Sequence, residues 1–138
     1  MKHVEVINRM TALGDALQLT LPAKVMAETL LLRAHYAKGI KEWQTVIEQL
    51  DKDTKPADGG KRTEEQTKAF NEAIDAKSKE DATIADRRYS AEAFEALCGV
   101  VADQKEIESA LVRNDKGEPQ PFPVIGWLEF VATNLVQE

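Results

Sequence analysis

The chain is poor in the residues that build cross-links and metal cages, with one cysteine, Cys98, and two histidines, His3 and His35. A lone thiol excludes an intrachain disulfide, and no paired cysteine or histidine spacing offers a zinc site. Between Leu97 and Val100-Val101, Cys98 reads as a buried structural thiol, because apolar surroundings raise its pKa and leave it inert. Long apolar runs are absent too. The longest reaches only from Leu97 to Ala102, far short of the roughly 20 residues a spanning helix needs. The stretch Met1 to Ile7 carries Glu5 and lacks the apolar stretch of a secretory signal. These features lead to an expected cytoplasmic location without a membrane partner.

Glycine and proline are few, at 7 and 5 residues, and 43% of the chain is hydrophobic. That is the composition of a folded protein, not a low-complexity one. Positive charge is also in deficit. The net charge is −6, made of +2 over residues 1–62 and −8 over residues 63–138. A phosphate backbone or an anionic lipid surface would meet mainly like charge, which works against nucleic acid or membrane as a partner. No phosphate-cradling glycine loop or nucleophile elbow is present, and no cofactor is implied.

What the chain does have is helical periodicity. Val4, Ile7, Met10, Leu13, Leu17 and Leu21 form one stripe of an amphipathic helix. Thr20-Leu21-Pro22 breaks it, since the residue before proline is pushed out of the helical region and proline suits the first turn of the next helix. From there Met26, Leu30, Ala34, Ala37, Ile40, Trp43, Ile47 and Leu50 recur with a mean step near 3.5, the period of a packing seam. A second set, Val25, Leu32, Tyr36, Gly39 and Val46, lies on an adjacent face. Four of these, Val25, Leu32, Tyr36 and Val46, are the candidate protein-interaction residues.

Residues 51–62 hold Pro56 and Gly59-Gly60 among alternating charges and read as an exposed loop. Thr63 with Gln66 fits a capping box, so a third helix should begin at Glu64 and fold back along the second. A weakly patterned connector covers 81–89. Ser90 then caps a fourth helix carrying Phe94, Leu97 and Val101, with Ile107 and Leu111 in line to continue it. After the turn Asn114-Asp115-Lys116-Gly117 and three alternating prolines, Val124, Trp127, Leu128, Val131 and Leu135 form a closing helix. The expected fold is all-α: one domain spanning 1–138, a helical bundle built on a long antiparallel helical hairpin. The alternative is an α+β chain with a small C-terminal β-hairpin between Leu111 and Leu128.

Glu48-x-x-Asp51 and Glu72-x-x-Asp75 fall on the two arms of the hairpin, each pair on one helix face. They resemble the paired acidic motifs of the all-α nucleoside triphosphate pyrophosphohydrolases related to MazG. The resemblance implies magnesium held by Glu48, Asp51, Glu72 and Asp75 and used to activate water. Chance weighs against it, because acids this frequent give about four i,i+3 pairs by accident, and the chain has five. Arg87-Arg88-Tyr89 is the best basic and aromatic cluster, with Arg87 and Arg88 as candidate phosphate contacts.

The opening Met1-Lys2-His3-Val4-Glu5-Val6-Ile7, then Leu21-Pro22-Ala23-Lys24 entering a long helix, then the charged loop, resembles small helical proteins of unknown function from tailed phages and prophages. That likeness covers roughly residues 1–95 and implies an accessory or assembly role with no catalytic residues. The expected function is therefore a non-enzymatic helical assembly or adaptor protein that binds a protein partner or a second copy of itself. The alternatives are a magnesium-dependent all-α nucleotide phosphohydrolase and a weak nucleic-acid-binding accessory protein.

Overall fold

The computed structural model describes residues 1–137. The chain is mainly helical, with α1 (His3–Leu17), α2 (Ala23–Thr54), α3 (Glu64–Ser78), α4 (Ala91–Val101) and α5 (Val124–Leu135). Between α4 and α5 lie β1 (Glu106–Arg113) and β2 (Pro119–Pro123), an antiparallel pair. The all-α expectation is corrected at this point, and the α+β alternative describes the chain better. Ile107 and Leu111 do not extend α4, which ends at Val101, but lie on β1.

Helix α2 runs to Thr54 and takes in the first residues of the expected 51–62 loop. The cause is Arg62, whose guanidinium donates to the Asp51 carbonyl at 3.1 Å, the Asp51 carboxylate at 2.8 Å and the Thr54 hydroxyl at 3.0 Å. It supplies a donor to a helix end that would otherwise leave carbonyls unpartnered. The capping box forms as expected, with Gln66 N donating to Thr63 Oγ1 at 3.1 Å and Thr63 N donating to Gln66 Oε1 at 2.9 Å. Helix α3 then runs back along α2. Arg62, ahead of it, sits at Asp51, while beyond its end Thr83 N reaches the Glu42 carboxylate.

Prolines 119, 121 and 123 alternate along β2, which pairs with β1 from Glu106 opposite Pro123 to Arg113 opposite Pro119. A proline cannot donate to a ladder, so the prolines occupy the positions whose N–H would point away from β1. The outer edge is thereby stripped of donors, which discourages pairing with another strand. The register slips between Ser109 and Arg113. There Ala110 N donates to Asp15 Oδ1 at 2.8 Å and Leu111 N to Ser109 Oγ at 3.1 Å, so side chains replace the lost ladder partners.

The core gathers Val6, Leu13, Val25, Tyr36, Tyr89, Leu97, Val101, Trp127, Val131 and Leu135, drawn from α1, α2, α4, α5 and the connector. At Gly39 α2 approaches its neighbours so closely that a Cβ would lie 2.7 Å from both Val6 Cγ1 and Ile84 Cδ1. Two charged residues of α1 are buried with this core, Arg9 and Asp15. Among the described residues no helix is long and apolar enough to cross a membrane.

Candidate functional site

The four acids of the metal reading are not brought together. Asp51 is taken by Arg62 and Lys55, whose hydrogen bonds, Arg62's first, hold its carboxyl below the usual range. Asp75 pairs with Lys79 at 3.1 Å. A groove of about 670 Å³ beside α3 is lined by Glu72 and Asp75 but by neither Glu48 nor Asp51. Among the described residues no three histidine, cysteine or acidic side chains are placed to hold one metal ion. Cys98 is half-buried, and that burial pushes its thiol up, away from nucleophilic use.

Arg88 is committed to structure. It donates to both oxygens of Asp86 at 3.1 Å and to the carbonyls of Thr133 and Val136. Asp86 also accepts from Arg9 at 2.5 Å, and Arg9 donates to the Tyr36 hydroxyl at 2.9 Å. Burial alone would raise the Asp86 carboxyl, but hydrogen bonds from Arg88 and Arg9 outweigh it and hold the pKa below the ordinary value. Burial likewise disfavours the Arg9 cation, and Asp86 and Tyr36 more than offset that. The Tyr36 hydroxyl in turn donates to the Arg87 carbonyl at 2.5 Å and accepts from Arg87 N at 3.1 Å. Tyr89 OH meets Thr29 Oγ1 at 2.6 Å, and burial pushes its pKa up to about 12. These bonds lash the connector to α1 and α2 and leave the Arg87 side chain exposed.

Val25, Leu32 and Tyr36, read from the sequence as an interaction face, are core residues, and Val46 is half-buried. The first three belong to this chain's interior and have no free face to offer a partner. The exposed face is the other one. Met26 is 42% exposed, Leu30 50% and Leu31 72%, and Ala23, Ala27 and Ala34 beside them are exposed as well. A 3.5-residue repeat winds slowly round a straight helix. The seam therefore faces solvent at Met26 and Leu30 and is half-buried where it reaches Trp43 and Leu50.

Met26, Leu30 and Ala34 follow each other at four-residue steps and make one continuous stripe. Leu31 extends that stripe into a groove of about 370 Å³, which Arg87, Arg88, Asp86 and Gln137 also line. Exposed Arg33 borders the stripe, and exposed Lys38 and Lys41 lie at its C-terminal end on α2 itself. Sequence periodicity located this seam but turned it inward, because Ala23 to Ala34 is apolar on both sides of the helix. Neither a protein-family model, nor a curated protein, nor a solved structure matches the chain.

Proposed function

We propose that the chain is a non-enzymatic helical assembly or adaptor protein that binds another protein through the first half of α2. The observation that carries this reading is the solvent-facing stripe Met26-Leu30-Leu31 with its three alanines. A helix apolar all round is ordinarily buried on all sides, and a contiguous apolar patch rimmed by polar groups marks an interaction surface. The opposite side of α2 packs against α1, α3 and α4, which leaves this face turned outward. The resemblance of residues 1–95 to helical phage and prophage proteins supports an assembly role in a mobile element. The scattered acids and the committed Arg88 leave the phosphohydrolase and nucleic-acid readings without an assembled site.

Replacing Leu30 and Leu31 together by glutamate tests the reading, because neither side chain supports the core. In native extract of the source cells, the wild-type chain is expected to elute in a complex larger than itself and the double variant at its own mass. A wild-type chain that elutes alone, or a complex indifferent to both substitutions, contradicts it.

A further inference from the structure

We infer that the partner on this face is an acidic amphipathic helix of a different protein; this rests on the protein-binding reading of the same face. The shape argues for a helix. Large Met26, Leu30 and Leu31 alternate with small Ala23, Ala27 and Ala34, which gives the ridges and grooves that a second helix fills. Past its first turn α2 pairs its backbone donors and acceptors within the helix, so the face offers no ladder to an added strand.

The charge argues for acidity. On a chain of net charge −6, the rim of this face is cationic, formed by Arg33, Lys38, Lys41 and Arg87. Among the described residues none of these four lies within 4.0 Å of a carboxylate. The nearby acids are already used: Glu28 accepts from Ser90 N and Oγ at 2.9 Å, Glu92 pairs with Lys24, and Asp86 holds Arg9 and Arg88. A second copy seated symmetrically on the same face would set this cationic rim against itself, which is repulsive. A helix with an apolar stripe and carboxylates along its borders meets both features.

The probes are two designed helical peptides with the same leucine face, one bordered by glutamate and one by lysine, together with phosphatidylserine vesicles. Methyl NMR of the full chain and fluorescence anisotropy read the binding. The glutamate peptide is expected to bind about tenfold or more tighter than the lysine peptide, to weaken as salt rises, and to shift the Met26, Leu30 and Leu31 methyls. Lys38→Glu with Arg87→Glu should erase the preference while the exposed Leu31→Asp abolishes binding to either peptide.

Equal or reversed preference at the same methyls overturns the acidic partner and leaves the protein-binding reading standing. Recruitment to vesicles without binding of the glutamate peptide overturns it in favour of a lipid surface. A concentration-dependent dimer lost in Leu31→Asp overturns it in favour of a second copy.

Discussion

The Asp15 carboxylate accepts the Ser109 hydroxyl at 2.6 Å, joining α1 to the irregular stretch of β1. The same oxygen accepts Trp127 Nε1 of α5 at 3.2 Å, and its partner oxygen takes Ala110 N. One buried carboxylate thus ties three elements that are far apart in the chain. Asp15→Ala leaves two side-chain donors and one backbone N–H without an acceptor, each costing about 1–3 kcal/mol when buried. The expected loss is about 3 kcal/mol or more in the unfolding free energy from urea denaturation, with Asp15→Asn losing less because it keeps one acceptor oxygen. A loss below about 0.5 kcal/mol for Asp15→Ala contradicts this role.

Tyr89 sets an alkaline limit. Its folded pKa is raised from 10.0 to about 12, so the folded state holds the phenolic proton more tightly than the unfolded state. The stability this contributes is fully present below pH 10 and is lost as pH rises towards 12, amounting to about 3 kcal/mol. Tyr89→Phe should be slightly less stable at neutral pH, by about 1 kcal/mol for the lost Thr29 hydrogen bond. The loss of stability that wild type shows between pH 10 and 12 should shrink in this variant. Chemical denaturation across that range distinguishes the two, and identical alkaline losses contradict the assignment.

Gly39 sits where α2 crosses α1. Alanine favours helix over glycine by about 1 kcal/mol, yet its Cβ would lie 2.7 Å from Val6 and Ile84. Val6 is β-branched and fully packed, so it has little room to yield. Gly39→Ala is therefore expected to destabilise by about 1–2 kcal/mol despite its better propensity. A raised melting temperature contradicts the close approach.

The proline edge of β2 makes a prediction about assembly. Pro121→Val restores an outward N–H on an exposed strand, and the variant is expected to form concentration-dependent oligomers by light scattering where wild type does not. Unchanged scattering sinks the idea that the alternating prolines guard that edge.

Local chemistry was legible in the sequence: the Pro22 break, the Thr63–Gln66 capping box, the Ser90 cap and the Asn114–Gly117 turn all involve neighbours within a few residues. What escaped was set by distant partners. Arg62 decides how far α2 runs, and Asp15 decides where the β1 ladder slips, and neither pairing leaves a periodic trace. The orientation of α2 escaped for a different reason. Val25, Thr29, Leu32 and Tyr36 make one apolar face and Met26, Leu30 and Leu31 another, so the pattern alone does not say which is covered. Sequence spacing placed Glu48, Asp51, Glu72 and Asp75 on facing helices but carried no information about Arg62, which claims Asp51.

The most direct measurement is site-specific photo-cross-linking in the source cells, with the photoreactive side chain at Leu31 and a control at exposed Lys68 on α3. A discrete protein adduct is expected from position 31, absent from position 68 and abolished by Leu30→Glu. An adduct pattern shared by both positions, or none from position 31, would contradict a protein-binding face on α2.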